Sequence, residues 1–313
     1  MVLNVDVRKF NTKTIIINLF LLLGFALIGG EVIPSLIGAS WRGFFCDDES
    51  IRYPYKADTI TSANLVIYAY FVIIITVVAT EWYFEDNSNS GTYIKLKVGR
   101  ITIPPFLVRA LIYIGYSQIG AACMYVVINL TKVTIGRLRP HFLDVCKPKD
   151  LVCSKNEYII NYQCTGDESL VLEARKSFFS GHSAISMYAS TFAVLYLLSR
   201  IPRDLSIKSV LPILQTIVIV MGLMISFSRI SDNMHHWSDV MVGIIVGVFF
   251  ASYTCIIVAK MFNEPEAELL PFREQKADYV TVNSTKSTDQ STHTISTPEN
   301  CEETCTNSPE PKQ

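Results

Sequence analysis

Charge is what this sequence has little of. Only 18% of its 313 residues are Asp, Glu, Lys or Arg, against about 25% in an ordinary soluble domain. Over a chain of this length that leaves too little polar surface for a water-soluble enzyme. A surplus of one sign is missing too. With 27 basic and 28 acidic residues, the chain lacks the basic footprint of a nucleic-acid binder, and no nucleic-acid partner is expected. There is no internal repeat, and no Asn-x-Ser/Thr sequon in the long polar stretch 132–181.

What is there is apolar and continuous. Uncharged windows run from Thr14 to Gly30, Thr59 to Thr80, Ala110 to Thr131, Ser183 to Leu198, Ser209 to Ser228 and Val240 to Ala259. About 20 helical residues cross a hydrocarbon core of about 30 Å. The windows therefore predict an all-α polytopic membrane protein with six transmembrane helices over residues 14–262, which also excludes a secreted disulfide scaffold. Continuous runs, without in-out alternation, favour helices over a barrel. Trp41, Trp82 and Trp237 fall at predicted helix ends, where an indole can bury its ring and keep its N–H wet. The first window, preceded by Arg8, Lys9 and Lys13, also reads as a signal peptide, with Ile37-Gly38-Ala39 the nearest cleavage site. Either reading leaves the following loop on the same side. Residues 1–13 form a short N-terminus. Residues 263–313 form a tail in which ten of the 17 residues from Thr281 to Thr297 are Ser or Thr; such a composition cannot bury a core and predicts disorder.

Six spans put both termini on one side and loops 37–58, 132–181 and 229–239 on the other. Lys and Arg counts do not decide between the sides. Cys46, Cys146, Cys153 and Cys164 all lie in the latter loops, which suits an oxidising, extracellular or lumenal face with one or two disulfides; four free thiols are the alternative. Cys123 and Cys255 lie within spans and read as packing residues.

Three polar clusters stand at span ends: Lys132 to Pro140 after the third span, Ser177 to Ser183 before the fourth, and Ser228 to Asp239 between the fifth and sixth. Span counting alone puts all three on one face. Lys132, Arg139 and Arg229 supply fixed positive charge, two of them as guanidinium forks suited to phosphate oxygens. Ser180 and Gly181 precede a helix start, where free N–H groups bind anions. His182 and His235 can exchange protons near neutral pH. Asp239, four residues after His235, can share its helix face and hold Nδ1–H, leaving Nε2 to attack. Together these groups describe phosphoryl transfer through a phosphohistidine. Singly each has a plainer reading: snorkelling cations, a helix-capping turn, an interfacial hydrogen-bond cluster. A metal site built on His235, His236 and Asp239 is the sharper rival, but Lys132, Arg139 and Arg229 would repel a divalent ion, so neither metal nor cofactor is expected.

The pattern Lys-x6-Arg-Pro, Ser-Gly-His and Ser-Arg-x5-His-x3-Asp resembles the three-part signature of the type 2 phosphatidic acid phosphatase superfamily. Arg42-Gly-Phe-Phe-Cys46 with Tyr53-Pro-Tyr-Lys56, and Arg137 to Cys146, look like the animal lipid phosphate phosphatases, including the wunen branch. The resemblance covers residues 10 to 262. It implies a six-span enzyme that dephosphorylates phosphatidic acid, lysophosphatidic acid, ceramide 1-phosphate and sphingosine 1-phosphate without metal, its site facing outward from the plasma membrane or into a lumen and both termini cytoplasmic. By the family pattern Lys132, Arg139 and Arg229 bind phosphate with Ser180 and Gly181, His235 rather than His236 is the nucleophile, Asp239 orients it, and His182 protonates the leaving alkoxide. Phe179 departs from the pattern, standing where many members have proline. Two other classes compete. A non-catalytic phospholipid-binding or scaffolding relative would have lost signature residues, all of which are present. A transporter would use midplane polar groups, here only Gln118 and Asn129. Gly243-Ile-Ile-Val-Gly247 reads either as close packing within the bundle or as a dimer seam, and the resemblance also allows a homo-oligomer.

Overall fold

The computed structural model describes residues 12–87, 96–98, 101–150, 153–201 and 210–262. The expectation of a disordered tail over 263–313, and nearly all of the N-terminus 1–13, lie outside the described residues. The helices are α1 (Thr12–Leu27), continued through a π turn (Ile28–Val32) into α2 (Ile33–Ile37), then α3 (Ser62–Asn87), α4 (Pro105–Ile135), α5 (Phe142–Cys146), α6 (Glu168–Ala174), α7 (Gly181–Arg200), α8 (Val210–Ser231) and α9 (Trp237–Tyr253), which runs into a second π turn (Thr254–Val258). Strand is minor. β1 (Phe44–Phe45) pairs antiparallel with β4 (Tyr158–Ile159), and β2 (Leu96–Val98) with β3 (Ile101–Ile103).

Five helical stretches are long and apolar enough to cross a membrane: Lys13–Ile37, Ser62–Phe84, Pro105–Ile135, Val210–Ser231 and Trp237–Val258. The chain is thus an integral membrane protein. The sixth expected span is α7, which falls short in hydropathy because it sits in the middle of the bundle, against α3, α8 and α9. Its buried positions mix hydroxyls with Met187 and Phe192, and three of the hydroxyls bond across helix boundaries. Ser186 Oγ donates to the Gly222 carbonyl on α8 (3.1 Å), Ser190 Oγ pairs with Tyr68 Oη on α3 (2.8 Å), and Tyr188 Oη donates to Ser117 O on α4 (2.6 Å). On the remaining side α9 approaches so closely that a Cβ on Gly243 would lie 2.6 Å from the Ser180 carbonyl, and one on Gly247 2.4 Å from that of Ala184. The GxxxG pair therefore packs inside the bundle, and any contact between copies would need another face. At the end remote from the three clusters, fully buried Glu81 of α3 receives Arg109 of α4 at 2.6 Å and Arg200 of α7 at 2.9 Å.

At the other end, loops 38–61 and 136–180 form a cap with its own apolar core, including Phe44, Ile51, Leu138, Phe142, Val145 and Val171. Disulfides Cys46–Cys153 and Cys146–Cys164 staple it. The Arg175 guanidinium lies 3.8 Å from the centre of the Trp41 ring and also faces Phe142 and Tyr162, an attraction strengthened by desolvation. Cys123 and Cys255 are not disulfide-bonded.

Candidate active site

The three clusters meet at the capped end. α4 stops at Gly136, whose positive φ of 58° closes the helix and turns the chain. Lys132 thereby stays on the last turn of α4, while Arg137, Arg139 and Pro140 enter the cap. Arg137 Nη1 binds Asp239 Oδ1 at 2.5 Å and Ser238 Oγ at 2.8 Å, joining the first cluster to the third. Ser177 Oγ donates to Asp239 Oδ2 at 2.6 Å, joining the second. Asp239 sits in the first turn of α9, where it also accepts the N–H of His236 at 3.1 Å, so its charge lies at the positive end of the helix dipole.

His235 is buried in the turn between α8 and α9. Its Nδ1 lies 2.7 Å from the Ser177 carbonyl. A carbonyl only accepts, so Nδ1 must carry the proton, and in the neutral ring the lone pair is on Nε2. Asp239 Oδ2 stands 3.9 Å from Nδ1, beyond hydrogen-bonding distance. The expected carboxylate–imidazole bond is thus replaced by a relay in which Asp239 holds Ser177 and Ser177 holds the ring. Burial pushes the His235 pKa well below the ordinary imidazole value, and the positive charges of Arg139 and Lys132 push the same way. His236 directs Nε2 to the Leu138 carbonyl at 3.0 Å and serves the cap.

Lys132 and Gly181 are neighbours: a Cβ on Gly181 would lie 3.6 Å from Lys132 Nζ. Ser180 caps α7, its Oγ accepting from Ser183 N (3.4 Å) and Ser183 Oγ (3.0 Å), which leaves its own O–H to donate elsewhere. Its backbone N–H is taken by the Asp239 carbonyl at 3.1 Å. A backbone donor available to a ligand is that of Gly181, in the first turn of α7. Arg139 packs beside the histidine turn, with Nη1 3.6 Å from Met234 sulfur and Nη2 3.5 Å from Glu173, while its buried Nε has no hydrogen-bond partner. His182 Nε2 is likewise buried without one. Buried polar atoms are rarely left so, and these two belong to residues that the sequence assigns to a phosphate and its leaving group.

Arg229 is 1% exposed and held between two carboxylates, Asp58 at 2.9 Å and Asp232 at 2.8 Å, with Nε on Ser228 Oγ. Three of its five N–H groups are used, which leaves two for a ligand. Sequence reading missed Asp58, Arg137, Ser177 as a backbone acceptor, and Asp232. The available signal for Asp58 was an acid one residue before an apolar run, next to the Tyr53-Pro-Tyr-Lys56 motif. Among the described residues no three His, Cys, Asp or Glu side chains group as metal ligands.

Comparison with known proteins gives the chain its family. Residues 110–262 match the PAP2 superfamily. The chain is 46% identical over 250 residues to "Phospholipid phosphatase homolog 1.2 homolog" of Caenorhabditis elegans, covering 77% of this chain and 72% of that protein. It is 38% identical over 248 residues to phospholipid phosphatase 1 of Rattus norvegicus, covering 76% and 80%, and 35% identical over 241 residues to phospholipid phosphatase 2 of the same species, covering 74% and 82%. No solved structure matches. A relative this similar, matched over most of both chains, establishes kinship: the chain belongs to the PAP2 superfamily, among its phospholipid phosphatases.

Proposed function

We propose that this phosphatase hydrolyses phosphatidic acid, lysophosphatidic acid, ceramide 1-phosphate and sphingosine 1-phosphate, without a metal ion, through a phosphohistidine on His235. The observation that carries the reading is the tautomer of His235. Its Nδ1 proton is committed to Ser177, so the lone pair is on Nε2. Lys132, Arg139 and Arg229 then hold the phosphoryl oxygens with Ser180 Oγ and the Gly181 N–H, offsetting the charge that develops on them. Nε2 attacks phosphorus and the P–O bond to the lipid breaks. A bound dianion favours the imidazolium of His182, whose Nε2–H protonates the departing alkoxide. The neutral His182 next takes a proton from water, the hydroxide displaces His235 from phosphorus, and orthophosphate leaves. Asp239 acts through Ser177 as a positioning residue.

In this reading residues 14–262 are the phosphatase domain, α7 is the sixth span, and the capped end faces the outside of the plasma membrane or a lumen, with both termini in the cytosol. The disulfides Cys46–Cys153 and Cys146–Cys164 support that orientation, since such bonds persist in oxidising compartments.

The test separates the two histidines. His235→Ala has no nucleophile and gives no phosphoenzyme with any substrate. His182→Ala loses the proton donor, so lipid hydrolysis falls by about 10²–10⁴-fold. A nitrophenyl phosphate, whose leaving group needs no proton, should still give a burst of nitrophenol and then stall as an acid-labile phosphohistidine. Equal loss on both substrates without a burst, a burst from His235→Ala, or activity abolished by EDTA and restored by magnesium would each overturn the reading.

A further inference from the structure

We infer that Glu173 is an exchangeable counter-charge for Arg139, which it yields to a bound phosphate, and that it thereby weakens the enzyme's hold on the product orthophosphate. This rests on the phosphatase reading above and adds a residue that sets how readily the product leaves.

Two backbone bonds lay the end of α6 alongside the first cluster. Arg139 N–H donates to Ala174 O (2.7 Å), and Ser177 N–H donates to Arg137 O (2.9 Å). Glu173, in the last turn of α6, is thereby held beside Arg139, and its Oε2 lies 3.5 Å from Arg139 Nη2. The same segment carries Ser177, whose carbonyl sets the tautomer of His235. Arg139 Nη1 meets the sulfur of Met234, the residue before His235, at 3.6 Å. The guanidinium thus stands between the Glu173 carboxylate and the turn that holds the nucleophile.

Arg139 is poorly partnered for a cation whose side chain is only 14% exposed. Its buried Nε has no hydrogen bond, and Nη1 has only a thioether, a weak acceptor. Its ion pair with Glu173 is too long for a good hydrogen bond. Arg229 is the contrast, gripped by Asp58 at 2.9 Å and Asp232 at 2.8 Å. A buried charge needs a counter-charge. For Arg139 with no phosphate bound, Glu173 alone supplies one among the described residues.

Glu173 is built to let go. Its side chain is 54% exposed, and its shorter bond runs to Lys176 Nζ, at 2.8 Å. It can therefore swing away from Arg139 and keep its closest partner. A carboxylate and a phosphate dianion on one guanidinium repel each other, so phosphate has to displace Glu173. That displacement weakens the binding of substrate and product alike. Uniform changes in binding move KM and leave the chemical step alone.

The deciding measurement is competitive inhibition by inorganic phosphate of the purified full-length protein in detergent micelles, with a short-chain phosphatidic acid as substrate, at low ionic strength. Glu173→Gln and Glu173→Ala should each lower Ki and KM by about fivefold, the upper scale of one partly exposed ion pair, with kcat no higher than in the wild type. Added salt should shrink the difference. Glu173→Asp, which keeps the charge, should stay near the wild type. A carboxylate needed only to hold the fold would give the opposite sign, since a damaged site binds phosphate less well. Unchanged or weaker inhibition in both neutral variants overturns the inference. So does their failure to fold, or a tightening in Glu173→Asp as large as in Glu173→Gln. A wild type that neither hydrolyses the substrate nor is inhibited by phosphate would instead overturn the phosphatase reading itself.

Discussion

The imidazole of His235 is fixed by the main chain of Ser177, whose carbonyl accepts from Nδ1 at 2.7 Å. A main-chain acceptor cannot be removed by replacing a side chain, which sets the rank of the neighbouring variants. Asp239→Asn loses the charge that holds Arg137 and weakens the hold on Ser177, but leaves the acceptor that sets the tautomer. Phosphoenzyme formation should fall by about 10–100-fold, the usual cost of a group supporting a reactive ligand. Ser177→Ala, which keeps the carbonyl, should cost less. A fall of about 10⁴-fold in Asp239→Asn, the size of effect seen when a catalytic histidine adopts the wrong tautomer, would mean that Asp239 binds Nδ1 directly in the working enzyme. Rapid-quench measurement of the phosphoenzyme decides this.

Acid should destabilise the folded protein early. Burial lowers the pKa of His235 and of His141, against partial opposition from their bonds to the Ser177 and Asn233 carbonyls. Both rings stay neutral in the folded state at a pH where the unfolded chain, with imidazoles near 6.5, takes up protons. Their contribution is complete above about pH 6.5 and is lost as the pH falls from there towards the folded-state values. The unfolding temperature in detergent should drop between pH 7 and pH 5, and drop less in His141→Asn. A profile flat over that range would show that both rings protonate freely in the folded protein.

Orientation is tested without chemistry. A tag placed in loop 153–157 should be reached by antibody on intact cells, and one after residue 300 only after permeabilisation. Cys46, Cys146, Cys153 and Cys164 should resist thiol reagents until the protein is reduced. Full labelling beforehand, or the reverse pattern of tag accessibility, would place the site in the cytosol.

Much of the clustering was legible because six expected spans bring alternate helix ends to one face. Lys132, Ser180, His182, Arg229, His235 and Asp239 could be assigned to one end of the bundle before any distance was known. What parity cannot supply is the partner of each charge. Asp58 reaches Arg229 across 171 positions, and Arg137 reaches Asp239 across 102; neither pairing leaves a mark in local sequence. The relay through Ser177 was hidden for another reason. Its working atom is a backbone carbonyl, which every residue possesses, so residue type gives no signal. The (i, i+4) spacing of His235 and Asp239 suggested a direct bond, but α9 begins at Trp237. His235 therefore lies outside the helix, and the helical geometry behind that spacing does not apply to it.

The position of α7 bears on how the protein is made. With Ser183, Ser186, Ser190 and Thr191 all buried, α7 is less apolar than the long helices around it and has less to gain from contact with lipid alone. In the finished protein Ser190 Oγ donates to the Ser186 carbonyl of its own helix and meets Tyr68 of α3, while Ser186 Oγ reaches the Gly222 carbonyl of α8. Packing against α3, made before it, and against α8 and α9, made after it, is therefore what fixes α7 in place.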